Sequence, residues 1–308
     1  MSAPTVAVVI VTYNRSALLS GCLDGLRSQS RPVDAVFIVD NASTDGTREV
    51  IEARDDLPIR AIHLSDNTGG AGGFHTGVKA AYEAGFDHIW LMDDDVVAAP
   101  DCLAQLLAHG GPVAMVVRQG PDGQLIEKSA TRFDLASPLA IKPKTASVDT
   151  DYARRDEMPV TVPLENVAFE GFMVARGVVE RVGLPDPAYF IFYDDCDWAI
   201  RIRRAGYRIL AVRDAVMTRQ LDFDQQHDLS SWKGYYMYRN LFAVHFRYAE
   251  NPAVRLKPWL IALVVLLLAP LRGGRKEAGN VWRALRDARG LRHLSAVAAP
   301  PGPPPSID

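Results

Sequence analysis

Asp93, Asp94 and Asp95 are three consecutive acids that follow a largely apolar stretch, residues 88–92. A strand over that stretch puts all three carboxylates at its mouth, and strand alternation points Asp93 and Asp95 the same way. Two carboxylates on one face suit a hard divalent cation, Mg²⁺ or Mn²⁺, which takes one or two carboxylates and completes its shell with diphosphate oxygens and water. The bland alternative, a solvated acidic turn, rarely follows so apolar a strand. Upstream, Gly69, Gly70, Gly72 and Gly73 follow Asn67, ahead of a helix expected from about residue 75. Glycines let backbone approach a ligand, and exposed N–H groups at a helix entry favour anions, so diphosphate contact is the functional expectation. A flexible surface turn is the alternative, and the spacing fits neither the Walker pattern nor a dinucleotide fingerprint. A third group, Asp194, Asp195 and Asp197, follows the aromatic run 189–193 and opens a helix that should end at Gly206. Caps and dipole partners account for at least one of these acids. Aromatic, low-dielectric surroundings would raise a carboxylate's pKa toward the value a general base needs.

Alternating elements are expected to position these groups. The β-branched run 6–11, the short apolar run 35–39, residues 59–64 and residues 88–92 read as strands. Between them, helices are expected over residues 17–29, with Ser16 as cap, over 47–54 and over 77–85. The result is α/β, with a mostly parallel, Rossmann-like central sheet. In such sheets ligands collect at the carboxyl ends of strands. Here those ends carry residues 12–15, Asp40 and Asn41, residues 65–67, and the three acids.

At 308 residues the chain allows roughly two domains, and its ordinary hydrophobic fraction of 48% excludes wholesale disorder. A net charge of −3 argues against a nucleic-acid partner. Three cysteines, odd in number and far apart, suggest neither a disulfide framework nor a zinc site. The first residues carry no basic segment followed by an apolar run, so cytosolic exposure is expected. Charge is unevenly spread: residues 247–293 hold ten Lys or Arg against three acids, a net +7, leaving −10 for the rest. Within this basic region residues 259–271 form an uncharged apolar run, too short for the roughly 20 residues of a single membrane span. Arg255, Lys257, Arg272, Arg275 and Lys276 flank it, which favours a helix dipping into an anionic leaflet over the alternative of a buried core helix. The Pro-rich end, residues 298–308, is expected to be a disordered tail.

Taken together, the residues resemble the family 2 glycosyltransferases of GT-A fold. The match rests on residues 11–15, residues 39–46, Asn67 with its glycines, Asp93 to Asp95, and residues 193–197 leading to Ala205, Gly206 and Tyr207. It spans about residues 5–245. Within the family, the glycine pattern and the acids resemble the actinobacterial galactofuranosyltransferases of cell-wall galactan, and the chain's length the initiating kind. The resemblance implies an inverting, metal-dependent transfer of galactofuranose from UDP-galactofuranose to a polyprenyl-diphosphate-linked rhamnosyl-N-acetylglucosamine acceptor. It implies peripheral contact with the cytoplasmic leaflet of the membrane. Thr12, Tyr13, Arg15 and Asp40 would hold the uridine, and Asn67, Gly69 and Gly70 the nucleotide near its diphosphate. Asp93 and Asp95 would bind the cation, and Asp94 would lie beside the donor sugar. Asp195 would be the base and Asp194 its positioning partner. Glu170, Gly171, Phe172 and Asp197 would meet the acceptor, with Phe172 as an aromatic sugar platform.

The family's metal-ligating His on a later strand is missing here; residues 216–219 end instead in Arg219. Arg219 cannot ligate a cation. Either it contacts the diphosphate, or His227 swings in from the polar stretch 222–228 to complete the shell; otherwise His227 is an exposed loop residue. Tyr238, Arg239 and Asn240 match a downstream family motif that serves packing or acceptor contact. The expected organisation is a catalytic domain over 1–228, with a nucleotide-sugar half to about 95 and an acceptor half from 96, then a helical region over 229–297. Three rival readings are a rhamnosyltransferase using dTDP-rhamnose, a nucleotidyltransferase, and a non-catalytic membrane-docked UDP-binding module. The nucleotidyltransferase would have no use for residues 193–197.

Overall fold

Seven consecutive buried residues, Val6–Thr12, form the central strand β1, as a β-branched run covered on both faces should. The computed structural model describes residues 3–140, 142–221, 228–272 and 274–291. After β1 the chain alternates through α1 (Ser16–Arg27), β2 (Ala35–Asp40), α2 (Thr47–Glu52), β3 (Ile59–His63), α3 (Gly69–Glu83) and β4 (His88–Asp93). There follow β5 (Val96–Ala98), α4 (Cys102–His109), β6 (Val113–Gln119), a small hairpin of β7 (Arg132–Phe133) and β8 (Lys144–Ala146), and α5 (Val148–Asp151). The acidic half is completed by β9 (Thr161–Leu164), β10 (Phe172–Ala175), α6 (Arg176–Val182), α7 (Asp194–Arg204) and β11 (Ile209–Arg219). Helices α8 (Trp232–Tyr248), α9 (Pro252–Arg255), α10 (Lys257–Arg272) and α11 (Arg275–Leu291) close the described chain.

Among the described residues the main sheet runs β3-β2-β1-β4-β10-β6-β11-β5, with β9 alongside β11. β1, β2, β3 and β4 are parallel, as their alternation with helices requires. The all-parallel pattern stops there. The four-residue β10 inserts antiparallel between β4 and β6, pairing Phe172 with Leu91 and with Met115. The sheet is therefore a mixed one, parallel in its N-terminal half.

Two expectations about helix starts need correction. The glycines lie inside α3, which begins at Gly69 rather than near residue 75. A Cβ on Gly73 would sit 2.5 Å from Val11, and one on Gly77 2.3 Å from Val9, so these glycines bring the helix against β1. Ser16 is the first residue of α1 and caps nothing; its N–H donates to Asp45 Oδ2 at 3.2 Å from a separate loop.

The sheet and its helices share one large core, with Trp90, Trp198 and Phe172 fully buried. A second core unites Phe242 and Ala243 of α8 with Ala262 of α10 and Val281, Ala284, Leu285 and Ala288 of α11. α10 divides its faces. Ala262 and Ala269 pack inward, whereas Trp259, Leu260, Leu263, Val264, Leu267 and Leu268 are exposed. Lys257, expected to flank an interfacial segment, turns inward and donates to the carbonyls of Ser137 and Ala140. No helix among the described residues is long and apolar enough to cross a membrane. His227 and the tail 298–308 lie outside the described residues.

Candidate active site

The carboxyl ends of β1 and β4 open into a cleft of about 590 Å³. Thr12, Tyr13, Arg15, Asn67, Gly69, Gly70, Asp93 and Asp94 line one part, and Glu170, Asp194 and Asp195 another. Asp40, Asp95, Gly171, Phe172 and Asp197 do not line it, for different reasons in each case.

The pleat of β4 ends at Asp93, and Asp94 and Asp95 form the turn into β5, so strand alternation does not set their directions. Asp94 accepts hydrogen bonds from Thr12 Oγ1 at 2.7 Å and Arg15 Nη1 at 3.0 Å. Asp95 is buried behind the cleft lining, between Arg15 Nη1 at 3.5 Å and Arg219 Nη2 at 3.4 Å. Arg219 reaches on to Glu170 at 3.5 Å, and Glu170 also meets Arg118 Nη1 at 2.7 Å; Arg118 in turn forks onto Glu127. A buried chain of alternating charge thus runs behind the acids. Burial alone would raise the Glu170 carboxyl, but Arg118 and Arg219 outweigh it and hold Glu170 below the usual range. Asp93 goes the other way: burial, then the charges of Glu170, Asp95 and Asp94, push its carboxyl well up. Asp94 is also raised by burial, against the pull of Arg15.

These groups fit a divalent cation. Asp95 Oδ1 is buried without a hydrogen-bond partner, and Asp93 is crowded by like charges that a cation would relieve. No group of three or more His, Cys, Asp or Glu arranged to hold a metal occurs among the described residues, so diphosphate oxygens and water would have to complete the shell.

On the nucleotide side, Asn67 Oδ1 accepts the Gly69 N–H at 2.8 Å, and Asn41 ties the same turn by accepting from Thr68 N and donating to the Gly69 carbonyl. Gly69 has φ +72°, and a Cβ there would lie 2.0 Å from the Phe190 carbonyl oxygen. Gly70 is different: its Cβ position is open space within the cleft. Asp40 is buried beside the cleft, accepting from Ser43 N at 2.9 Å and paired with His63 Nδ1 at 3.0 Å. Those bonds outweigh burial and lower its carboxyl.

Across the cleft, α7 opens with Asp194 and Asp195 where its dipole favours negative charge, and ends at Arg204, with Gly206 at φ +92° just past its cap. Burial pushes the Asp194 carboxyl far up. Asp195 is half-buried; its Oδ1 accepts the Cys196 N–H at 2.6 Å, and burial pushes its carboxyl up to about 6. Asp197 is fully buried, taking Tyr189 at 3.0 Å, Tyr248 at 2.6 Å and Arg201 at 2.9 Å, with Arg247 alongside. It joins α7 to α8, so acceptor contact is not open to it. Gly171, at φ +104°, is pressed against Val116, and Phe172 is enclosed by Phe169 and Trp198. Neither presents a surface to a sugar.

The loop ahead of α7 holds three non-glycine residues at positive φ: Phe190, Phe192 and Tyr193. Asn240 of α8 fastens it, its side-chain amide donating to the carbonyls of Tyr189, Ile191 and Phe192. Arg239 donates to the carbonyls of Ala188 and Tyr189. Trp232 and Lys233 stand at the cleft rim. Trp232, Phe190 and the Arg118–Glu170–Arg219 chain carry no local motif that marks them as part of the site, and Arg239 and Asn240 join it by holding this loop.

The fold is that of GT-A glycosyltransferases. A solved mannosyltransferase from Pyrobaculum calidifontis, in complex with GDP-mannose and Mn²⁺, superposes with a TM-score of 0.54 at 22% identity, covering 94% of this chain and 76% of that one. The sequence profile for Glycosyl transferase family 2 matches residues 7–117, and the chain belongs to that family. It is similar to galactofuranosyltransferase GlfT1 of Mycolicibacterium smegmatis, 31% identical over 208 residues, 65% of this chain and 66% of that protein. GlfT1 of Mycobacterium tuberculosis is 28% identical over 254 residues, 82% of this chain and 78% of that protein.

Proposed function

We propose that this glycosyltransferase moves galactofuranose from UDP-galactofuranose to a polyprenyl-diphosphate-linked rhamnosyl-N-acetylglucosamine acceptor, with inversion at the anomeric carbon. The observation that carries the reading is one cleft with two acidic ends. The Asp93 and Asp94 end suits a diphosphate with its cation, and Asp195, pushed up to about 6, suits a base. Similarity to the two GlfT1 proteins supports the choice of sugar.

In this reading Thr12, Tyr13, Arg15 and Asp40 hold the uridine end, Asp40 from behind through Ser43 and the loop that carries it. Asn67, Gly69 and Gly70 approach the diphosphate, and Asp93 and Asp95 hold Mn²⁺ or Mg²⁺. When bound, the cation supplies positive charge beside the departing diphosphate. Asp194 and Asp195 are adjacent carboxyls that burial pushes up, and Asp195 is the half-buried one on the cleft, which supports it as the base. Asp195 is ionised near neutrality and takes the proton of the acceptor hydroxyl as its oxygen bonds to the anomeric carbon. The bond from that carbon to UDP breaks, and UDP leaves. Asp194, its carboxyl pushed up by burial and by the neighbouring Asp195 charge, orients acceptor or base. The exposed face of α10, with Arg255, Arg275 and Lys276 exposed around it, supports peripheral contact with the cytoplasmic leaflet, where a polyprenyl-linked acceptor resides.

Incubation of the purified protein with Mn²⁺, the lipid-linked disaccharide, and either UDP-galactofuranose or dTDP-rhamnose tests this. A product heavier by one or two hexoses from UDP-galactofuranose alone is expected. A deoxyhexose gain moves the assignment to rhamnosyl transfer, and UDP binding without product moves it to a non-catalytic module.

A further inference from the structure

We propose that Trp232, backed by Phe190 and Tyr236, is the platform on which a pyranose ring of the acceptor stacks beside Asp195. The inference rests on the acceptor being a glycan, as proposed above, and puts the platform at the cleft rim instead of at Phe172.

Phe172 cannot serve, since it is fully buried between Phe169 and Trp198. The rim of the same cleft carries another aromatic group. Trp232, the first residue of α8, is 57% exposed. It meets Phe190 edge-on at 6.4 Å and Tyr236 edge-on at 6.0 Å, while Phe190 and Tyr236 stack on each other at 4.9 Å. Edge contacts hold the indole in place and leave much of its area to solvent, an arrangement that costs apolar burial unless a ligand recovers it.

Phe190 is itself held at φ +63°, a conformation costly for an aromatic residue, and persists there because the loop's carbonyls are bonded by Arg239 and Asn240. Strain retained by such over-determination clusters at ligand clamps. The loop that presents Phe190 also leads directly into Asp194 and Asp195, so platform and base are placed by one segment. A sugar ring suits the pair of surfaces: its C–H face lies on the indole while its hydroxyls turn to the carboxylates. The nucleobase is the competing stacker, but the Thr12, Tyr13 and Asn41 end of the cleft belongs to the separate β1 and β2 edge.

The test is a fluorescence titration of the full chain with a soluble rhamnosyl-N-acetylglucosamine glycoside and, separately, with UDP. Trp90 and Trp198 are buried, so Trp232, Trp259 and Trp282 are the tryptophans exposed to an added sugar. The glycoside is expected to change the emission of the wild type and not that of Trp232→Phe. In steady-state assays Trp232→Ala should raise the acceptor KM at least tenfold with a smaller change in kcat, and Trp232→Phe should recover most of it. An emission change that survives in Trp232→Phe, no change at all, a Trp232-dependent change with UDP alone, or equal loss of UDP affinity and thermal stability in Trp232→Ala would overturn the proposal. If the wild type transfers rhamnose instead, the donor reading fails while a Trp232-dependent glycoside signal still supports the platform.

Discussion

Asn240 donates its side-chain amide to the Ile191 carbonyl at 2.7 Å, reaching from a helix of the C-terminal region into the loop that presents the base. The same amide serves the Tyr189 and Phe192 carbonyls, and no backbone ladder is available to replace it. Truncation leaves the Ile191 and Phe192 carbonyls without this donor, at about 1–3 kcal/mol each, while the Tyr189 carbonyl keeps Arg239 and the Ile191 N–H. Asn240→Ala is therefore expected to lower the thermal midpoint and to reduce kcat more than UDP affinity, because the released loop leads directly into Asp195 and meets the nucleotide side at the Phe190 carbonyl, which accepts the Ala71 N–H. Calorimetry and UDP titration read both effects; a kcat unchanged after the loop is released would separate the clamp from catalysis.

The pH dependence follows from Asp195. A base must be ionised, and burial pushes this carboxyl up to about 6. Protonation below that value removes the base, so kcat/KM should fall about tenfold per pH unit on the acidic side of an apparent pKa near 6, and level off above it. Asp195→Asn should lower kcat by at least about 10²-fold and flatten the acidic limb, with UDP affinity near that of the wild type. Equal losses of turnover and UDP affinity would mark Asp195 as structural.

The parallel half of the sheet was legible because β1, β2 and β4 are apolar runs bounded by polar residues, a pattern local to each strand. The start of α3 was not, since glycines signal a loop by propensity and here serve close packing on Val9 and Val11, a tertiary demand. β10 is four residues long and pairs antiparallel with strands distant in sequence, which no local pattern encodes. In the site, the carboxyl-edge rule located the cleft, but burial sorted its acids. Asp197 looks like Asp195 in sequence; Tyr189 and Arg201 nearby, with Arg247 and Tyr248 some fifty residues on, make it a structural acid. Phe172 was misplaced for the same reason: an aromatic residue's type does not tell which face of its strand is covered.

Chelation offers an independent check on the acidic turn. With Asp95 Oδ1 unbonded and Asp93 crowded by like charge, EDTA should weaken UDP binding at least tenfold and Mn²⁺ should restore it. Asp93→Asn should weaken the dependence on Mn²⁺ itself, read by calorimetric titration of UDP with and without the ion. UDP affinity indifferent to both treatments would remove the cation from the reading.

Arg219 stands between two carboxylates, the buried Asp95 and the half-buried Glu170. Removing one partner of a buried charge network typically costs about 3–5 kcal/mol, chiefly through the charges left behind. Arg219→Leu should therefore lower the unfolding midpoint sharply, and Arg219→Leu combined with Glu170→Gln should recover part of the loss. A double variant no more stable than the single one would show that Arg219 acts on this fold by packing and not through those charges.

The exposed face of α10 gives the last prediction. Leu263 and Leu267 lie one helical turn apart, are 53% and 67% exposed, and belong to a segment flanked in sequence by the exposed cations Arg255, Arg275 and Lys276. Each Leu kept from an apolar phase forfeits roughly 1.5–3 kcal/mol. Leu263→Asp with Leu267→Asp should thus reduce co-sedimentation with vesicles containing anionic phospholipid at least tenfold, while the fold stays intact because neither side chain enters the second core. Raising salt should weaken wild-type binding as the basic flank is screened, with the apolar share persisting. Partition that ignores both the substitutions and the lipid charge would place the acceptor's delivery elsewhere on the molecule.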